Sequence, residues 1–170
     1  MNRIAGFLAG AALTLCAAPA MAEPATLLGV FGNWTAFTTG SGSSLTCFAS
    51  STPRASRPKR AKVFLVVSDW PARKVRNEPQ IVYGYQGKEG APAALGVGAE
   101  KFTFFMRNNG KEGSSWLASL NDNPRLVDAM RNGVSVVASG TSIKGTRTVD
   151  TYGLQGFSDA MDKVHAACPM

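Results

Sequence analysis

The sequence predicts a mainly β chain: an antiparallel β-sandwich of jelly-roll-like form, with two short helices at its margin. Three observations predict it. Short runs rich in Val, Thr, Phe and Tyr recur along the chain with apolar and polar residues alternating. Turn signals containing Gly, Asn and Pro separate these runs at short intervals. Only two stretches space their apolar residues as a helix does. No internal repeat or linker divides the chain, so residues 23–170 read as a single β-sandwich domain.

The first 22 residues stand apart from that pattern. Met1-Asn2-Arg3 is a short positive segment, Ile4 to Ala18 is an apolar run, and Ala20-Met21-Ala22 supplies a small-x-small cleavage site. Together they predict a signal peptide over residues 1–22, removed on export. The run falls short of the ~20 apolar residues of a spanning helix. Leu15 stands before Cys16 where lipidation needs a small residue, so no lipid anchor is expected. The mature chain is expected to begin at Glu23, to carry no transmembrane segment, and to be periplasmic or secreted to the cell surface.

From there the elements follow in order. Asn33 to Thr38 and Leu45 to Ser50 flank the turn cluster Gly40-Ser41-Gly42-Ser43-Ser44 and predict a hairpin. Alternation places Leu45, Cys47 and Ala49 on one face of its second strand and Phe48 on the other. Ala61 to Ser68 is nearly all apolar and predicts a central strand covered on both faces, ended by Asp69-Trp70-Pro71. Pro79 to Tyr85, Ala94 to Gly98, Lys101 to Arg107 and Ser115 to Ser119 are the next strands. Phe102, Phe104 and Met106 share one face of the strongest of them. The first helix opens at Pro124, with Asp122 or Asn123 as cap, and ends at Asn132-Gly133, where Gly suits a left-handed terminus. Val134 to Gly140 and Thr146 to Tyr152 predict two more strands around Lys144-Gly145. The second helix spans Ser158 to Ala167, capped by Ser158, and Phe157, Met161, Val164 and Cys168 form one apolar stripe.

Loss of the leader removes Cys16 and leaves Cys47 and Cys168. An even count in an exported chain favours a disulfide between them, and both lie on faces directed at the core. Two free buried thiols and an intermolecular bridge are the alternatives.

The chain carries a formal charge of +7, and the excess is local. Between Arg54 and Arg76 stand Arg54, Arg57, Lys59, Arg60, Lys62, Arg73, Lys74 and Arg76 against the single carboxylate of Asp69. Such a concentration attracts polyanions. For an exported protein these are glycans, lipid headgroups including lipopolysaccharide, or a host cell's exterior, and nucleic acid is not an expected partner. Arg54, Arg57, Lys59, Arg60, Arg73, Lys74 and Arg76 therefore form a candidate anion-binding patch.

Motifs of catalysis are not legible. His165 and Cys168 are spaced for one helical face, but two ligands do not make a zinc site, and no metal site is expected. Asp162 and His165 lack a nucleophile in a Gly-x-Ser-x-Gly turn. Gly96-Val97-Gly98 lacks the third glycine of a dinucleotide fingerprint, and the segment from Gly140 to Gly145 lacks the Gly-Lys-Ser/Thr order of a phosphate loop. No catalytic residue and no cofactor are assigned. Trp34, Trp70 and Trp116 are dispersed and read as core or sheet-edge residues.

In sequence order, FGNWTAF, LTCFASSTP, VRNEPQIVYGY, FTFFMRNNG, SWLAS, NPRLVDAMRNG and VSVVASGTSIKGTRTVDTYGLQGF precede a closing helix that ends in Cys. This succession resembles the invasion-associated locus B family of exported proteobacterial proteins. The resemblance runs from about Val30 to Cys168 and is most specific at Arg125 to Met130 and Gly140 to Phe157. It implies a periplasmic or surface-associated β-sandwich, a family history tied to bacterial entry into host cells, and no catalytic residues. Many members have a further cysteine near the positions of Phe37 and Thr38; its absence here leaves Cys47–Cys168 as the only candidate bond. The expected function is thus that of a non-enzymatic envelope or surface protein with an unidentified protein, glycan or lipid partner. An anion-binding module built on the Arg54–Arg76 patch is the alternative, and an unrecognised hydrolase a more distant one.

Overall fold

The computed structural model describes residues 23–170, so the signal peptide expected over residues 1–22 lies outside the described residues. Among the described residues the fold is mainly β, with two α-helices. The strands are β1 (Thr26–Phe31), β2 (Trp34–Thr39), β3 (Thr46–Ser51), β4 (Ala55–Arg57), β5 (Phe64–Trp70) and β6 (Val75–Val82). They continue as β7 (Ala93–Val97), β8 (Glu100–Asn109), β9 (Glu112–Leu117), β10 (Ser135–Thr141) and β11 (Arg147–Gly153). Helix α1 (Asn123–Asn132) enters between β9 and β10, and α2 (Phe157–Ala167) closes the chain.

All eleven strands join one antiparallel sheet in the order β1-β2-β3-β5-β6-β9-β8-β7-β10-β11-β4. The sheet folds over on itself, sandwich-like, so that distant strands meet. The Trp34 indole N–H, on β2, donates to the Gly153 carbonyl at the end of β11 at 3.0 Å. The Tyr83 hydroxyl, just after β6, donates to the Ser139 carbonyl on β10 at 3.3 Å. The inner face collects the alternate residues that periodicity picks out: Cys47 and Ala49, Phe102, Phe104 and Met106, Val136 and Ala138 are all buried. Phe157, Met161, Val164 and Cys168 turn the stripe of α2 onto β1, β2 and β3, with none of the four exposed. Helix α1 packs Leu126, Val127 and Met130 into the same core.

Several boundaries differ from the sequence reading for identifiable reasons. β1 and β4 are edge strands, short or partly polar, which alternation reveals poorly. β5 runs on through Asp69 and Trp70, so the break is made by Pro71 alone. Only one face of β5 is buried throughout; Phe64, Val66 and Trp70 on the other face are half-buried. Pro79 lies inside β6, where that strand pairs with β5 but not yet with β9, so its missing N–H interrupts no second ladder. Gly133 is extended (φ −91°, ψ 168°) rather than left-handed. A Cβ there would lie 2.8 Å from Val97 and 3.0 Å from Leu154, so closeness of packing requires the glycine. The N-cap of α2 is Gly156 (φ 83°), not Ser158, and a Cβ on Gly156 would run into the Phe31 carbonyl.

Candidate functional site: a cationic cleft around Arg60

Cys47 on β3 and Cys168 after α2 form a disulfide with their Cα atoms 6.0 Å apart, which ties the last helix to the sheet. The thiol that precedes the cationic stretch in sequence is thus engaged in the core.

The cations themselves do not form one patch. β5 separates Arg54 to Lys62 from Arg73 to Arg76, and its six residue steps span roughly 20 Å at ~3.3 Å each. Each group has its own surroundings.

Arg60 anchors the first group. Its guanidinium lies over the Tyr85 ring at 5.2 Å and donates from Nε to the Tyr83 carbonyl at 3.0 Å and from Nη1 to the Pro58 carbonyl at 2.8 Å. Nη2 pairs with Asp150 Oδ2 at 2.5 Å. Asp150 is fully buried on β11, and its other oxygen accepts from the Ser56 hydroxyl at 2.6 Å. The register explains the arrangement, because Ser56 on β4 stands directly opposite Asp150. The pair therefore fastens the edge strand β4 and the following loop to the sheet. Beside it the Tyr85 hydroxyl meets Thr148 Oγ1 at 2.8 Å, and the Tyr83 hydroxyl meets Ser115 Oγ at 2.8 Å. Burial pushes Tyr83, Tyr85 and Tyr152 above the ordinary phenol range, so these hydroxyls stay neutral.

Two clefts open on either side of Arg60. One, of about 360 Å³, is bounded by Pro58, Arg60, Tyr85, Lys111, Ile143 and Lys144. Lys111 comes from the β8–β9 turn and Lys144 from the β10–β11 turn, so four connections converge on it. The other, of about 340 Å³, is bounded by Arg54, Ser56, Lys59, Arg60, Lys62 and Phe64. Lys62 reaches Glu112 at 3.2 Å, an exposed pair of little weight. Among the described residues no ion pair forms to Arg54, Arg57, Lys59, Lys111 or Lys144.

The second group is used differently. Arg73 lies over the Trp70 ring at 5.3 Å and stands 3.9 Å from Glu78. Lys74 occupies a left-handed turn position (φ 52°) in the open. Arg76 Nε lies 3.7 Å from Asp69 Oδ2, and its Nη2 donates to the Cys168 carbonyl at 3.4 Å. Asp69 is buried directly opposite Cys47 and accepts the Asn77 amide at 2.9 Å. His165 Nε2 lies 2.9 Å from Asn77 Oδ1 and 3.7 Å from Asp69 Oδ2. Desolvation raises Asp69 above the usual carboxylate value and lowers His165 below the usual imidazole value. Among the described residues no three His, Cys, Asp or Glu side chains are grouped to hold a metal ion.

Sequence reasoning missed Lys111, Lys144 and the Arg60–Asp150 pair. For Asp150 a signal existed: alternation from Thr146 to Tyr152 puts it on the same face as Thr148 and Tyr152, inside the sheet.

Residues 34–165 match the family model for the invasion associated locus B (IalB) protein. The chain belongs to the IalB family. The crystal structure of invasion associated protein B from Bartonella henselae is similar to it, with a TM-score of 0.56 and 18% identity over 81% of this chain and 95% of that one. At that identity the likeness establishes the fold. No curated protein matches the chain. Within the IalB match, Gly140 to Phe157 supplies β11 with Asp150, and Arg125 on α1 pairs with Glu100 at 2.6 Å while lying over the Phe102 ring at 4.3 Å.

Proposed function

We propose that this IalB-family chain is an exported, non-catalytic binding protein of the bacterial envelope or cell surface, which takes up an anionic ligand at the clefts beside Arg60. The ligand chemistry is a phosphate- or carboxylate-bearing glycan or lipid headgroup, of the kind an envelope or a host-cell exterior presents. The carrying observation is that Arg54, Lys59, Lys111 and Lys144 line two adjoining clefts with no carboxylate paired to any of them among the described residues. Charges held together without counterions raise the local potential for anions and gain most when an anion arrives. A non-catalytic role is favoured because polar groups lining the clefts are spent on partners: Arg60 on Asp150, Ser56 on Asp150 and Tyr85 on Thr148. The buried disulfide and the family membership support an extracytoplasmic place, reached after removal of residues 1–22. Among the described residues no helix is long and apolar enough to cross a membrane.

Retention on an anionic glycan column tests the reading. Arg54→Ala/Arg57→Ala/Lys59→Ala and Lys111→Ala/Lys144→Ala variants should each elute at clearly lower salt than the parent. An Arg73→Ala/Lys74→Ala variant, at the other end of β5, should elute with the parent. Unchanged elution of the first two variants would overturn the proposal.

A further inference from the structure

A second surface shares no lining residue with the Arg60 clefts. Alternation turns Trp70 on β5, Glu78 and Gln80 on β6, Trp116 on β9 and Phe105 on β8 to the outer face of the sheet. Registers place Gln80 beside Trp116 and Trp116 beside Phe105, so the three stand in one row across adjoining strands. A groove of about 620 Å³ runs along them, with Leu120 at its rim. Phe105 and Leu120 are 42% and 58% exposed, high for large apolar side chains. The Phe105 and Trp116 rings lie side by side, centroids 6.1 Å apart and planes inclined by 32°, with Arg107 over the Phe105 ring.

We propose that this groove binds a neutral saccharide, with the apolar face of a sugar ring stacked on Trp116 and its edge against Phe105. Gln80, Glu78 and Arg73 then bond the sugar hydroxyls. Three features select that ligand. Arg73 and Glu78 stand 3.9 Å apart and offset one another, and Arg107 is drawn onto the Phe105 ring, so the groove gathers no cluster of one sign. Gln80 both donates and accepts, as paired hydroxyls require, and it sits in the same row as the platform. The rings form no cage for a cation, since Arg73 and Arg107 already lie over Trp70 and Phe105 at 5.3 and 5.5 Å.

Size argues against a second copy of the chain. The platform crosses β5, β6, β9 and β8, three interstrand steps of ~4.8 Å, and two residue rows of similar extent. That is on the order of 200 Å², against the ~800 Å² that each partner of a stable complex buries. A few sugar rings fit it and a protein interface does not.

The test is equilibrium dialysis with soluble oligomers of glucose, galactose and N-acetylglucosamine, together with tryptophan fluorescence of the full mature chain. At least one oligomer should bind saturably, shift the emission, and hold its affinity from low to high salt. Trp116→Ala should weaken it about tenfold, the worth of one lost stacking partner. Phe105→Thr and Gln80→Ala, which remove less buried groups, should weaken it without lowering the melting temperature. Arg54→Ala/Arg57→Ala/Lys59→Ala should leave it unchanged, so this proposal and the anion-binding one fail separately. Absence of binding across the panel, or binding that survives Phe105→Thr and Gln80→Ala, would overturn it. So would a dimer in sedimentation that Phe105→Thr dissociates, since the groove would then be a self-interface.

Discussion

Replacing Arg60 with methionine strands a charge. Asp150 is fully buried, and after Arg60→Met its carboxylate retains only the Ser56 hydroxyl at 2.6 Å. Breaking a buried ion pair from one side costs about 3–5 kcal/mol. The surviving charged hydrogen bond, worth about 1.5–3 kcal/mol, keeps the loss toward the lower end. Arg60→Met should therefore destabilise by about 3 kcal/mol in urea denaturation. Asp150→Asn should cost less, because Arg60 keeps the Tyr83 and Pro58 carbonyls and retains 11% side-chain exposure. The decisive variant is the double substitution Arg60→Met/Asp150→Leu, which removes both charges and fills the space with apolar atoms. It should be clearly more stable than the sum of the single losses requires, and close to or better than Arg60→Met alone. Strict additivity, or a loss below about 1 kcal/mol for Arg60→Met, would show that water reaches Asp150 and that the pair is not a buried anchor for β4.

The disulfide, His165 and Gly156 each give a further expected outcome. The disulfide closes 121 residues, which the chain-entropy relation values at about 5 kcal/mol, so Cys47→Ala/Cys168→Ala should lose most of that in urea denaturation; a loss under about 1 kcal/mol would refute it. His165 is held below its ordinary value by burial, so as pH falls through the histidine range the unfolded chain takes up a proton first and stability declines. Asp69, raised by burial, acts in the opposite sense, its cost easing as pH falls through the carboxylate range. His165→Gln should flatten the decline in melting temperature between neutral and mildly acid pH, and parallel curves for the two proteins would show that His165 does not cause it. Gly156→Ala must adopt a left-handed backbone, worth about 1–2 kcal/mol, and also move the Phe31 carbonyl; a total loss under about 1 kcal/mol by denaturation would contradict the packing described.

What the sequence made legible follows the reach of each signal. Alternation and helical spacing act within a few residues, and they found nine of the strands and both helices. They also found the inward faces that carry Cys47 and Cys168, whose bond needed only a shared core. They missed β1 and β4, because an edge strand is held by one neighbour and need not alternate cleanly. His165 looked solitary because its partners, Asn77 and Asp69, lie some ninety residues away and are brought to it by the disulfide-tied packing of α2 on the sheet.

The charge pattern shows why a cluster in sequence is a weak guide to a site. Eight cations between Arg54 and Arg76 suggest one patch, yet β5 lies in the middle of that span, and a strand moves its ends as far apart as any element can. One of the eight, Arg60, is consumed by Asp150, another, Arg73, lies on Trp70, and Arg76 serves the buried Asp69. Conversely, Lys111 and Lys144 are fifty and more residues from Arg60 and reach its cleft because each sits in a tight turn at that end of the sheet. Antiparallel pairing returns the chain to the same end every second strand, so turns distant in sequence become neighbours while the two ends of one strand do not. The cations that matter for an anion are therefore sorted by turn, not by run.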